Sequence, residues 1–188
     1  MSRLRALVFG RQGAGKGTQC ARLSSKYGVP HISTGDMLRA AVAEGTEFGR
    51  KAEEFMSAGN LVPDDVMIGV VKERLAKSDA VERGFLLDGF PRTLTQAEAL
   101  LDSTGDAGLD VVLNIDVPLD VVTERMKGRG RADDTDEAIA RRLELYEQET
   151  APVLDLFEDR KLLVTVDGVG SEEEVLERLS KVIDARLS

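Results

Sequence analysis

Five short apolar runs recur along the chain, at Ala6 to Phe9, Val29 to Ser33, Phe85 to Leu87, Val111 to Val117 and Leu162 to Val166, with helical stretches between them. Apolar runs of this length predict strands buried on both faces. Strands that alternate with helices imply a mostly parallel sheet covered on both sides and joined by right-handed crossovers, with ligands gathered at the strand C-terminal ends. The first run leads into Gly10-Arg11-Gln12-Gly13-Ala14-Gly15-Lys16-Gly17-Thr18, after which Gln19 to Tyr27 reads as a helix. Residues 34–84 are too many for one crossover helix. Ser33 and Asp36 stand at capping-box spacing, and Met37, Leu38, Ala41 and Val42 form an apolar stripe, so a helix opens there. Gly45, Gly49, Gly59 and Pro63 are expected to break the rest into a short helical excursion. Few of its residues should reach the main core, which makes it a candidate mobile lobe. Pro118 opens another helix, Asp134 with Glu137 marks the start of the next, and Ser171 with Glu174 caps the last.

The composition narrows the function without choosing it. The 188 residues suit one domain with small inserted lobes, and 42% hydrophobic with 31% charged residues is ordinary for a globular enzyme. A formal net charge of -9 argues against nucleic acid or a membrane surface as the main partner, because both need an extended basic face. The single cysteine, Cys20, rules out an internal disulfide and a cysteine-cluster zinc site, and fits a reducing cytoplasm. It reads as packing. No signal-peptide core and no run near the ~18 residues of a membrane span is present in the sequence.

The glycine-rich stretch carries the chemistry. Gly10, four residues, then Gly15-Lys16, set between a strand and a helix, is the spacing of a phosphate-binding loop. In such a loop, successive backbone N–H groups curl around an anion at a helix N-terminus. A dinucleotide-binding loop is disfavoured, since Thr18 occupies its third glycine position. The third strand ends Asp88-Gly89-Phe90-Pro91-Arg92. Asp88 stands where a phosphate-loop protein places the carboxylate that organises magnesium, here through metal-bound water. Gly89 permits close backbone approach, and Arg92 can fork two N–H groups onto a phosphate. Arg125, Arg129, Arg131, Arg141 and Arg142 fall within residues 125–142 of an acidic chain. They would repel one another unless a polyanion lies between them or Asp133, Asp134 and Asp136 pair with them, and the phosphate loop in the same chain favours the polyanion. His31, the only histidine, reads as a core or loop residue. With few base candidates beyond Asp88 and Asp36, a phosphate acceptor, already anionic near neutral pH, is favoured over an alcohol.

Gly-Ala-Gly-Lys-Gly-Thr-Gln at 13–19, Ile-Ser-Thr-Gly-Asp-Met-Leu-Arg at 32–39, Leu-Asp-Gly-Phe-Pro-Arg at 87–92 and the region of Gly128, Arg129 and Arg142 together resemble the adenylate kinases, a branch of the nucleoside monophosphate kinase family. The resemblance runs in order over essentially the whole chain. It implies a three-layer α/β phosphate-loop fold with a five-stranded parallel sheet, a small helical AMP-binding lobe at 33–62 and a very short lid at 129–136, all within one kinase domain, 1–188. The implied reaction is reversible transfer of phosphate from MgATP to AMP, giving two ADP, with Mg2+ as cofactor and no covalent intermediate.

Carried onto this chain, the resemblance implies that Gly13, Ala14, Gly15, Lys16, Gly17 and Thr18 hold the ATP phosphates, with Lys16 following the transferred group. Arg125 would lie near the ATP base or its phosphates, and Gly170 where the ATP adenine packs. Thr34 and Gln96 would hold the AMP adenine and Arg39 and Arg92 its phosphate, within walls formed by Asn60, Leu61, Val62, Gly89, Phe90 and Pro91. Arg129, Arg131 and Arg142 would clamp the phosphates in transfer. Relatives acting on UMP or CMP commonly carry Ala at the position of Thr34, so Thr34 bears most on substrate choice. Gln12 replaces a usual proline, and the lid lacks the β-rich lobe of long forms, so no zinc is expected. The implied partners are the small molecules ATP, AMP and ADP, without nucleic acid or membrane, for a cytoplasmic monomer.

Overall fold

A computed structural model of the chain describes residues 3–105, 108–131 and 133–188, with Arg129 by its backbone alone. Five strands are present among these: β1 Leu4–Phe9, β2 His31–Ser33, β3 Gly84–Asp88, β4 Val111–Asp116 and β5 Leu163–Asp167. They pair in the order β2-β3-β1-β4-β5, parallel throughout. The sheet is as expected, with strand ends shifted by one or two residues. Polar ends such as Asp88 and Asp167 join the ladder because backbone pairing does not depend on the side chain.

The helices are α1 Lys16–Tyr27, α2 Thr34–Ala43, α3 Glu47–Ser57, α4 Asp64–Leu75, α5 Ser78–Arg83, α6 Leu94–Thr104, α7 Leu119–Arg129, α8 Asp136–Leu145, α9 Ala151–Asp159 and α10 Glu172–Leu187. A π-helical stretch, Tyr146–Thr150, joins α8 to α9. The pleat of β1 divides the core. Leu7 and Phe9 point into a buried cluster shared with Leu38, Ala97, Leu100 and Phe157, while Ala6 and Val8 point into a second cluster with Cys20, Leu23, Val122 and Leu179. Thus α1, which follows β1, covers one face, and α6, which follows β3, covers the other. The crevice between the C-terminal ends of β1 and β3 is therefore the point where the connections part to opposite faces, the place where such sheets bind ligands.

Four expectations are corrected. The first helix begins at Lys16, not Gln19, so Lys16, Gly17 and Thr18 form its first turn. Gly49 does not break the excursion. It lies inside α3, where an added Cβ would stand 2.0 Å from the Ala41 carbonyl oxygen, so the missing side chain lets α3 cross α2. Leu38 of α2 and Ala52 of α3 also belong to the same buried cluster as the sheet, so the excursion has core contacts of its own. The cap of α8 is Thr135, which accepts from the Ala138 amide at 3.1 Å, in place of Asp134 with Glu137. Ser33 caps α2 as expected, and Ser171 with Glu174 makes a full capping box on α10. Among the described residues no helix is long and apolar enough to cross a membrane.

Candidate active site

The glycine-rich loop leaves β1 at Gly10 and enters α1 at Lys16. Gly13 has φ +86°, and a Cβ there would stand 2.6 Å from the Val122 carbonyl oxygen, so only glycine lets the loop pass this close to α7. The Lys16 ammonium folds back over the loop, donating to the Gly10 and Arg11 carbonyls at 2.7 and 3.1 Å. The first turn of α1 opens on a cavity of about 300 Å3, lined by Gly15, Lys16, Gly17 and Thr18, with Asp88, Arg125 and Arg131 on its other walls. A second cavity, of about 270 Å3, continues along the outside of the loop and is bounded by Ala14, Arg125, Gly168 and Gly170. Arg125 reaches the loop itself, donating to the Gly13 carbonyl at 3.4 Å.

On the other side of Asp88 lies a cleft lined by Thr34, Arg39, Val62, Gly89, Arg92 and Gln96, with Asn60, Leu61, Arg131 and Arg142 around it. Gly89 forms its floor, with φ +83°, and Arg92 is drawn over the floor by donating Nε–H to the Gly89 carbonyl at 2.8 Å. Thr34 and Gln96 are both 2% exposed, polar side chains buried at the inner end. Gln96 is engaged at both ends: Oε1 accepts from the Arg92 amide at 2.8 Å and Nε2 donates to Asp64 at 2.8 Å. Phe90 and Pro91 stand apart from this cleft. They line an adjoining hollow with Lys16, Tyr146 and Thr150. The Arg129 side chain lies outside the described residues.

In the structure the neighbouring acids pair with part of this basic cluster, the reading the sequence ranked second. Arg142 lines the cleft and is bound by the lid acids, through Asp134 at 2.9 Å and through Asp133, while Nη2 also donates to the Met56 carbonyl at 3.1 Å. Arg141 turns to Asn60 and Glu144 at 3.1 and 2.7 Å. Asp136 pairs instead with Lys127, at 3.4 Å. On α2, Asp36 is 2.5 Å from Arg39. Partial burial opposes ionisation of Asp36, but the Arg39 hydrogen bond and charge outweigh it and hold the carboxyl below its usual range, which removes Asp36 as a proton acceptor near neutral pH. Burial lowers the affinity of Arg92 for its proton, Asp88 opposes this, and Arg142 and Arg39 add to it; a guanidinium so shifted still carries its charge at neutral pH.

Asp88 sits at the junction of both sides, 7% exposed, with its carboxylate 3.5 Å from His31 Nε2. Cys20 is fully buried as packing, and burial first and Asp88 second push its thiol well above the usual range, so it is neutral. Several engaged residues carry no sequence signal. Asp64, next to Pro63, looks like an ordinary first-turn acid of α4. Thr150 donates to the Arg92 carbonyl at 2.9 Å from the π-helical stretch, and Arg11 reaches Glu147 and Asp116 at 2.8 and 3.3 Å. A π-helical turn shifts side chains relative to an α-helix of the same sequence, so helical periodicity does not place them.

A family model described as adenylate kinase matches residues 8–162. Among curated relatives named adenylate kinase, that of Corynebacterium glutamicum is 50% identical over 182 residues, covering 96% of this chain and 99% of the relative. That of Kocuria rhizophila is 48% identical over 187 residues, covering 96% and 98%, and that of Xanthomonas euvesicatoria is 47% identical over 186 residues, covering 96% and 99%. A glycine-rich loop that opens a cavity at a helix N-terminus, a second cleft rimmed by arginines and this similarity over nearly the full chain agree, and the chain belongs to the adenylate kinase family.

Proposed function

We propose that the two cavities hold the two substrates of one phosphoryl transfer, MgATP along the glycine-rich loop and AMP in the cleft beyond Gly89. The observation that carries this reading is that Lys16, Arg92 and Arg131 converge on the cavity lined by Asp88, which shares Gly89, Arg92 and Arg131 with the second cleft. The working unit in this reading is a monomer in the cytoplasm, the compartment in which adenine nucleotides and a reduced Cys20 occur together.

In this reading the amides of residues 13–18 hold the β- and γ-phosphates, and Lys16 exchanges its carbonyl partners for phosphate oxygens. The ATP base rests in the cavity bounded by Gly168 and Gly170, against Arg125. Thr34 and Gln96 face the AMP base, Leu61 and Val62 pack on it, and Arg39 and Arg92 meet its phosphate. Arg131 and Arg142, with Arg129, close on the transferred group, Arg142 exchanging Asp133 and Asp134 for phosphate oxygens. The acceptor oxygen is already anionic, so no protein base is required; alignment and charge neutralisation supply the rate.

The Asp88 carboxylate and the Thr18 hydroxyl line the same cavity, a pair of hard oxygen donors that suits Mg2+ held through water. Held by Thr18 and Asp88, Mg2+ would supply positive charge to offset the negative charge that develops on the transferred phosphate. The lobe at 33–62 and the lid at 129–136 act as the two walls that exclude water from the reacting groups. The test is a panel in which MgATP is supplied with AMP, UMP or CMP and diphosphate formation is followed. AMP is expected to be consumed fastest, and faster turnover of UMP or CMP overturns the assignment.

A further inference from the structure

A carboxylate that does not itself line the cleft holds a side chain that does, Gln96. Asp64, the first residue of α4, accepts from Gln96 Nε2 at 2.8 Å and from the Thr93 hydroxyl at 3.0 Å, both on Oδ1. Thr93 in turn caps α6, accepting the Gln96 amide N–H at 3.2 Å. On the opposite end of the same side chain, Gln96 Oε1 accepts the Arg92 amide N–H at 2.8 Å. The amide of Gln96 is thus held between a donor, the Arg92 N–H, and an acceptor, the Asp64 carboxylate.

This polarity has a consequence for recognition. A primary amide offers two lone pairs on oxygen and two N–H groups on nitrogen, so after these contacts Gln96 retains one of each. An adjacent acceptor and donor match the Watson–Crick edge of adenine, where the exocyclic amine donates and N1 accepts. Hypoxanthine presents the reverse, a carbonyl that accepts and an N1–H that donates. Rotating the amide by half a turn would satisfy hypoxanthine, but would set the Gln96 nitrogen against the Arg92 N–H and its oxygen against the Asp64 carboxylate. At a side chain 2% exposed, both mismatches lack water to relieve them.

We propose that Asp64 is a positioning residue for base selectivity: it fixes the orientation of the Gln96 amide so that the acceptor cleft takes 6-amino purine monophosphates and rejects 6-oxo ones. The inference rests on the reading of this cleft as the AMP site. Asp64 also joins the start of α4, just after the Leu61–Val62 wall, to the start of α6, so wall and amide keep one relative position.

Calorimetric titration of AMP and IMP into the whole protein, with kcat, the KM for each substrate and thermal unfolding, tests it. Asp64→Ala is expected to weaken AMP about tenfold, the factor associated with one hydrogen bond at a buried amide. IMP binding should stay level or improve, so the AMP-over-IMP ratio falls at least about tenfold, while the KM for ATP and kcat at saturating AMP hold within about twofold. Asp64→Asn, which keeps an oxygen toward Gln96 and Thr93, restores the ratio to within about threefold of the native protein. If Asp64→Ala does not fold, Asp64→Ser, whose shorter side chain no longer reaches Gln96, takes its place. An unchanged ratio, or equal weakening of both nucleotides, overturns the role of Asp64. Gln96→Ala separates the two levels: if it leaves the ratio unchanged, the assignment of the AMP base to this cleft is wrong, whereas if it collapses the ratio and Asp64→Ala does not, Asp64 alone is misassigned.

Discussion

Gly89→Ala tests the floor of the acceptor cleft, because its two effects have separate readouts. An added Cβ would stand 2.7 Å from Thr34 Oγ1 and 3.2 Å from Arg92 Nη2, and the backbone at φ +83° is one that L side chains rarely adopt. Forcing alanine into that conformation costs about 1–2 kcal/mol, which for a chain of this length lowers the unfolding midpoint by about 2–8 °C. The contact effect is distinct. Thr34 and Arg92 must both move, and both line the cleft assigned to AMP. Misplacing a guanidinium that makes charge-assisted hydrogen bonds to a phosphate costs about 1.5–3 kcal/mol, a rise of roughly ten- to a hundredfold in the KM for AMP. The KM for ATP should rise less than that for AMP, since Gly89 lines the phosphate end of the donor cavity but not its Gly168 and Gly170 end. Steady-state kinetics with each nucleotide varied in turn, beside thermal unfolding, reads all three quantities. A variant with a lowered midpoint and an unchanged KM for AMP would refute the reasoning, for it would mean that Thr34 and Arg92 are not what AMP touches.

Lys16→Met should lower kcat by about 10²–10³, the scale of losing one preorganised donor to a developing charge, and near-native turnover would remove Lys16 from the mechanism. Thr34→Ala should narrow the preference for AMP over UMP in competition assays at little cost in stability, because the bond its hydroxyl donates to the Asp88 carbonyl is long, at 3.4 Å; an unchanged preference counts against its role in base choice. Asp36 titrates below its ordinary 3.8 in the folded chain, so the stability that its ionised form contributes is complete above that value and is lost as pH falls through the lowered one. Arg39→Met should return the Asp36 carboxyl signal toward the ordinary range in an NMR titration, and a native Asp36 already titrating there contradicts the pairing.

The sheet is legible in the sequence because burial on both faces leaves a coarse mark. Leu7, Leu86, Leu87, Val112 and Leu113 are 0% exposed, and a strand covered on both sides must be apolar at successive positions, which separates it from the alternating pattern of a half-exposed strand. Helix starts are legible where a side chain does the capping, as at Ser33 and Ser171, and obscured where a neighbour does it better, as with Thr135 beside Asp134. A hydroxyl and a carboxylate both accept from the third residue of a helix, so adjacent candidates compete for one position. Gly49 misleads for a different reason. A glycine demanded by a helix crossing and a glycine that ends a helix are identical in one dimension.

The site divides along the same line. Residues proposed to meet substrate through the backbone or through a fixed motif spacing, such as Gly13 to Thr18 and Asp88 to Arg92, follow one another in the chain and can be read there. Residues that act through another side chain cannot, because their partners are set by the fold. Asp64 meets Gln96 across thirty-two positions and Arg11 meets Glu147 across one hundred and thirty-six. The arginines between positions 125 and 142 show the limit most directly. Charge counting alone offers two ways to relieve their repulsion, a polyanion or the neighbouring acids, and treats them as rivals. In the structure Arg142 lies in the cleft wall with its donors directed to Asp133, Asp134 and Met56. A buried guanidinium must keep its N–H groups bonded in every state it visits. Asp133 and Asp134 supply those acceptors here, and in the proposed reading phosphate oxygens would take their place, so acid pairing and a polyanion are successive partners of one side chain and need not be rivals.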